Sequence, residues 1–264
     1  MAHHDETIGS LLKTRNRYLN IMEAALCGTL YGDPSINFSQ LGDYSARARE
    51  LGRDWPSLAH TMIGTVRMRN LRQICEMMIM DDISGDFIET GVWRGGACIY
   101  MKAIIEAYGD SRRRVFVADS FRGLPPPDET AYPSDTDSPF HTWPHLAISR
   151  QTVEDNFRRY GLLDDRVIFL EGWFKDTLPS APIENLAVLR LDGDMYESTI
   201  QALEALYHKV SRGGAVIVDD FQISACAKAV HDFRANHNID SPLLPIDGWS
   251  MWWRCDHPPI RLGS

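Results

Sequence analysis

Gly85-Asp-Phe-Ile-Glu-Thr-Gly-Val-Trp-Arg-Gly-Gly-Ala97 runs from a short apolar segment, through a carboxylate and a glycine-bearing turn, into a helix predicted over about 97–108. The same strand-then-helix unit recurs downstream. Residues 115–119, 167–171, 186–192 and 214–219 read as further strands, and 151–160, 197–210 and about 225–236 as helices. This alternation implies a parallel sheet covered on both faces. The near-continuous apolar runs at 186–191 and 214–218 suit its buried centre. Leu243-Leu244 and Trp252-Trp253 supply a last hairpin pair near the end. Upstream, apolar residues at helical spacing over 11–27 and 62–80 flank a Gly-, Pro-, Asp- and Asn-bearing stretch, 28–44, that reads as loop. The methionines of 62–80 read as core packing. Residues 1–84 are thus an N-terminal helical segment. Residues 85–264 are the sheet domain, interrupted by a Pro-, Asp- and Ser-rich lid loop over about 122–147, a length that marks a functional loop or a disordered one.

In an open sheet of this kind, ligands bind beyond the carboxyl ends of the strands. Each of the five strands predicted before the closing hairpin ends in an acidic residue: Glu89, Asp119, Glu171, Asp192 and the pair Asp219-Asp220. Any one of them could be a cap or a turn former. Gathered on one edge they would repel and raise one another's pKa, so a positive or hydrogen-bond-donating group is expected among them. Glu89 is followed by the Gly91 turn, which lets a ligand approach the backbone at a helix start. The spacing is not the G-x-G-x-x-G of a dinucleotide site. Asp119, at the end of the second strand, suits two ribose hydroxyls. Together these point to a nucleoside without a pyrophosphate. Asp192, Asp219 and Asp220 offer three hard oxygen donors with no His or Cys beside them, which suits Mg²⁺, Ca²⁺ or Mn²⁺ better than zinc. Asp194 either joins them, caps the next helix or holds the turn.

The chain has 264 residues, 27 Lys and Arg against 36 Asp and Glu, and a net charge of −9, which disfavours a nucleic-acid partner. Five scattered cysteines without a C-x-x-C argue against a disulfide framework or a zinc knuckle. No apolar run approaches the length that spans a bilayer, and the first ten residues lack a signal-peptide pattern. These features predict a soluble, cytoplasmic protein with no membrane partner. The N-terminal helices and Trp249, Trp252 and Trp253 are apolar enough either for an interface or for packing on the sheet.

At these residues the sequence resembles the macrocin-type sugar O-methyltransferases of antibiotic biosynthesis, which include the noviose O-methyltransferases of aminocoumarins. The matching stretches are His60-Thr-Met-Ile-Gly, Glu89-Thr-Gly-Val-Trp-Arg-Gly-Gly-Ala, Val117-Ala-Asp-Ser-Phe, Arg159-Tyr-Gly-Leu-Leu-Asp-Asp, Gly172-Trp-Phe-Lys-Asp-Thr, Leu191-Asp-Gly-Asp-Met-Tyr and Val218-Asp-Asp. The resemblance implies a Rossmann-like class I methyltransferase fold, α/β, with a mostly parallel seven-stranded sheet and helices on both faces. It implies S-adenosylmethionine and Mg²⁺ as cofactors, a deoxysugar hydroxyl on a macrolide or aminocoumarin as acceptor, and a homodimer. By position it implies Met62, Ile63, Glu89, Thr90, Gly91, Asp119, Ser120, Trp173 and Phe174 as cofactor residues, with Trp173 and Phe174 at the adenine. Asp192, Asp219 and Asp220 become the metal ligands. The chemistry adds that a weakly acidic sugar hydroxyl needs a base beside the metal, Asp192 itself or, in its place, His141 or His145 of the lid. Stretches 28–50 and 125–146 match least, so the acceptor contacts stay open. A nicotinamide dehydrogenase is disfavoured by the missing glycine fingerprint and Tyr-x-x-x-Lys pair. A catechol O-methyltransferase and a non-catalytic nucleoside- or metal-binding protein remain as competing readings.

Overall fold

The computed structural model describes residues 2–37 and 40–256. The chain opens on α1 (Ala2–Leu26), which starts upstream of the apolar spacing that predicts it. The stretch read as loop holds a short antiparallel pair, β1 (Ser35–Asn37) and β2 (Gln40–Gly42). After it comes α2 (Ala46–Glu50), capped by the Ser45 hydroxyl, which accepts the Ala48 N–H at 3.3 Å. Two buried charges organise this stretch. Arg49 donates to the carbonyls of Cys27 and Asp33 at 2.8 Å and pairs with Asp54. Asp33 accepts the N–H groups of Leu58 and Ala59. Backbone partners are therefore supplied by side chains distant in sequence, which local composition does not reveal.

The remaining elements are α3 (Gly64–Met80), β3 (Asp86–Thr90), α4 (Gly96–Ala107), β4 (Val115–Asp119), α5 (Arg150–Arg159), β5 (Val167–Glu171), α6 (Phe174–Thr177), β6 (Leu186–Leu191), α7 (Tyr196–Leu206), β7 (Val210–Val218), α8 (Ser224–Asn236), β8 (Leu244–Pro245) and β9 (Met251–Arg254). The seven strands β3–β9 form one sheet in the order β5-β4-β3-β6-β7-β9-β8. From β5 to β7 all neighbours are parallel; β9 is antiparallel to β7 and to β8. The expected mostly parallel sheet and its closing hairpin are both present.

Consecutive strand residues point to opposite faces. Phe87, Val115 and Val117 join one core with Leu19 and Leu26 of α1, Leu71 of α3, Ile99 of α4 and Phe157 of α5. Ile88, Phe116 and Val216 join the other core with Leu203 of α7 and Val230 and Phe233 of α8. Every residue of β3 and β6 is buried; β6 is apolar but for Arg190, as suits a central strand covered on both faces, whereas β3 buries the polar Asp86, Glu89 and Thr90 beside Phe87 and Ile88. Trp253 is fully buried and Trp252 packs against the core, so these two serve the sheet. All five cysteines are buried, and none is in a disulfide. No described helix is long and apolar enough to cross a membrane.

Chain order runs outward from β3 through β4 to β5, and from β6 through β7 in the other direction. Strand order therefore reverses between β3 and β6, where a crevice opens at the carboxyl ends. The lid lies over it as three single-turn 3₁₀ segments, Pro133–Asp135, Phe140–Thr142 and Pro144–Leu146. It is tied down at two points. Buried Asp135 accepts the N–H groups of Tyr196 and Glu197 at 2.7 and 2.9 Å, at the start of α7. The Trp93 indole donates to the His145 carbonyl at 2.8 Å.

Candidate active site

Strand register assembles the charged centre. Glu89 of β3 lies opposite Arg190 of β6, and Arg190 lies opposite Ile217 of β7. With a side-chain period of two, Asp192 follows Arg190 on the same face and Asp219 follows Ile217. The result is one guanidinium, 1% exposed, paired with Glu89, with Asp192 at 2.6 Å and with Asp219. Arg67 of α3 pairs with the other oxygen of Asp219 and reaches Asp247 at 3.3 Å. These two arginines are the positive groups that the gathered carboxylates require. Apolar patterning hides Arg190; its sequence signal is a lone arginine inside Leu-Ala-Val-Leu-Arg-Leu, where a charge needs partners.

Asp192, Asp219 and Asp220 each bring a carboxylate oxygen to a common point, all within 4.8 Å of one another. They form the one metal-spaced cluster of such groups among the described residues. Burial raises the pKa of Asp192, and the Asp219 charge adds to it. Burial also lifts Asp220 well above the ordinary range, with Asp194, Asp192 and Asp219 adding to it, and pushes Asp194 up to about 7. So many carboxylates in a largely buried cluster are under-compensated by two arginines, and a hard divalent cation is their chemical complement. The donor set therefore fits Mg²⁺. Asp194 does not cap α7, whose first N–H groups go to Asp135. It holds the turn: its own N–H donates to Asp220 at 3.1 Å and its φ is +58°.

The other half of the crevice is a backbone-lined turn. A Cβ on Gly91 would sit 1.7 Å from the Asp192 carbonyl oxygen, so nothing larger fits where β3 and β6 converge. Asp119 is oriented by the N–H groups of Val92 and Phe121, at 2.8 and 2.7 Å, and burial raises its pKa. Glu89 is pushed up to about 7 by burial, against the pull of Arg190, and accepts the Cys98 thiol proton at 2.9 Å. Trp93 and Phe121 hold φ of +46° and +56° in the turns after β3 and β4. Such strained positions cluster where side chains must face a ligand.

Both halves open into one cavity of about 460 Å³. Met62, Ile63, Glu89, Gly91, Asp119 and Ser120 border it, as do Trp173 and Phe174, and so do Asp192, Asp219 and Asp220. Thr90 does not; its hydroxyl is buried in the sheet and donates to the Arg190 carbonyl at 3.4 Å. Neither His141 nor His145 borders the cavity. Trp55, Phe140, Trp143 and Trp249 line it and were not singled out in sequence as ligand contacts, because they lie on the least patterned loops.

A sheet in this strand order, with a glycine turn and an acidic cluster bordering one cavity at the switch point, has the architecture of the Rossmann-like class I methyltransferases. Residues 29–255 match the model of the macrocin-O-methyltransferase (TylF) family. The chain is 50% identical over 242 residues to an 8-demethyl-8-(2,3-dimethoxy-α-L-rhamnosyl)-tetracenomycin-C 4′-O-methyltransferase of Streptomyces olivaceus, covering 91% of this chain and 93% of that one. It is 48% identical over 259 residues to a demethyldecarbamoylnovobiocin O-methyltransferase of Streptomyces niveus, covering 96% and 99%. The solved structure of the O-methyltransferase NovP superposes with a TM-score of 0.89 at 47% identity, covering 92% of this chain and all of that one. The chain belongs to the macrocin-O-methyltransferase family and is an enzyme of that kind.

Proposed function

We propose that this protein transfers the methyl group of S-adenosylmethionine to a deoxysugar hydroxyl of a glycosylated natural product in antibiotic biosynthesis, with Mg²⁺ held by Asp192, Asp219 and Asp220. The observation that carries this reading is that the glycine turn with Asp119 and the three-aspartate cluster border a single cavity. The names of the relatives support the acceptor class: one acts on a rhamnosyl-bearing tetracenomycin and another on a demethyldecarbamoylnovobiocin. We take the active species to be a homodimer; the exposed Leu11 and Ile21 of α1 are the apolar surface that supports it.

The chemistry supplied at such a site is an activated sulfonium methyl on one side and, on the other, a cation that orients neighbouring hydroxyls and lowers the pKa of one. The chain's residues supply the rest. Asp119 accepts hydrogen bonds from the ribose hydroxyls, with Ser120 beside it. Trp173 and Phe174 flank the adenine, and Met62 and Ile63 cover the donor from the N-terminal segment. Glu89 and the Gly91 turn receive the amino-acid end. Asp192 takes the proton from the acceptor oxygen as general base. Arg190 and Arg67 hold the aspartates still, so the acceptor is presented in line without reorganisation, an alignment worth roughly 7–11 kcal/mol at best. The lid excludes water.

The test is incubation with S-adenosylmethionine, Mg²⁺ and a panel of glycosylated polyketides and aminocoumarins, read by mass spectrometry of the sugar fragment. A gain of one methyl on the sugar is expected. A methyl found on the aglycone instead would overturn the sugar assignment.

A further inference from the structure

Arg190 spans the two ends of the cavity. Its guanidinium is shared by Glu89 at the turn end and by Asp192 and Asp219 at the acidic end. Asp219 has a second arginine in Arg67, whereas Glu89 leans otherwise on the weak Cys98 thiol donor. Three carboxylates thus draw on one buried fork of donors, and whatever relieves one of them changes what the others receive.

We propose that Arg190 is a positioning residue that couples the two halves of the site, so that a divalent cation on Asp192, Asp219 and Asp220 tightens binding of the donor at Glu89, and the donor tightens the cation in return. The proposal rests on the donor and metal assignments above. A cation on the aspartates takes over the charge of Asp192 and Asp219. The guanidinium is then drawn wholly to Glu89 and holds that carboxylate in one place. The two effects are equal by linkage, because each ligand must change the other's affinity by the same factor. No chain of intermediate residues is needed; one side chain touches both halves.

The experiment uses the full chain, Mn²⁺ and S-adenosylhomocysteine. The thioether carries no sulfonium charge, so direct repulsion between the ligands is removed. Calorimetry gives the affinity for S-adenosylhomocysteine with and without Mn²⁺. Electron paramagnetic resonance gives the affinity for Mn²⁺ with and without S-adenosylhomocysteine. Each is expected to tighten about 5-fold or more in the presence of the other. In Glu89→Gln, and in Arg190→Lys, which keeps the charge but lacks the fork, the ratio should fall to about 1. Arg67→Met touches Asp219 but not Glu89 and should shift the Mn²⁺ affinity while keeping the ratio. A role confined to holding the fold would lower the melting temperature and move both affinities without changing their ratio. A ratio near 1 in the unaltered protein, or one that survives both Glu89→Gln and Arg190→Lys, overturns the coupling while leaving the donor and metal assignments standing. Failure of the unaltered protein to bind either probe overturns those assignments and the coupling with them.

Discussion

At the scale of single residues, Gly91 and Asp192 meet at the convergence of β3 and β6, and their substitutions should fail in different ways. A methyl at Gly91 would collide with the Asp192 carbonyl at 1.7 Å, and the local φ of +85° also disfavours any side chain. Gly91→Ala is therefore expected to lose several kcal/mol of stability, measured by urea unfolding; a change under about 1 kcal/mol would show that the strands can part there. Asp192→Asn keeps the shape but removes the base and one ligand. It should lower turnover by about 10²-fold or more, and near-normal turnover would remove Asp192 from the chemistry. The acidic strand ends were legible in sequence because each closes an apolar run, and so was the need for a positive group among them. That group itself was not found, because Arg190 sits inside a run whose periodicity reads as core, and only the pairing of β3 with β6 reveals that it faces Glu89.

Among the elements, strands and long helices followed from apolar spacing, whereas the lid and residues 28–59 did not. Their shape is set by single buried side chains, Asp135 for the lid and Arg49 and Asp33 for the N-terminal stretch, that bond to backbone far away in sequence. Asp135 gives the lid a testable hinge. Its two bonds to the first N–H groups of α7 act as a helix cap supplied from another element. Asp135→Ala should cost about 1 kcal/mol of stability. It should also raise the acceptor KM more than the cofactor Kd, because its two bonds are made at the start of α7, just beyond the turn at 192–194. An equal loss on both, by steady-state kinetics and calorimetry, would contradict that division.

For the molecule as a whole, the N-terminal segment is pinned to the sheet domain near His60. The His60 carbonyl accepts the Gly96 N–H at 2.9 Å where α4 begins, and its ring shares a 3.0 Å hydrogen bond with the Tyr160 hydroxyl. Burial first, then Arg159 and Arg94, pushes its pKa down to about 4 from 6.5. The folded value lies below the unfolded one, so between these limits the unfolded chain binds the extra proton. The contribution is fully present above pH 6.5 and is lost as the pH falls toward 4. Between pH ~7.5 and pH ~5 the loss from this group is about 2 kcal/mol. Urea melts of the protein and of His60→Gln at the two pH values check it: the unaltered protein should lose about that much more than the variant, and parallel losses would mean that His60 takes up its proton without cost.

On the proposed function, one cavity joins a methyl donor to a cation-held sugar through Asp192, Asp219 and Asp220. The most direct measurement is methyl transfer to a glycosylated acceptor with Mg²⁺, with EDTA, and with Mg²⁺ restored after EDTA. Transfer that stops with EDTA and returns with Mg²⁺ is predicted; transfer that continues undiminished in EDTA would contradict the account and leave the three aspartates a structural cluster.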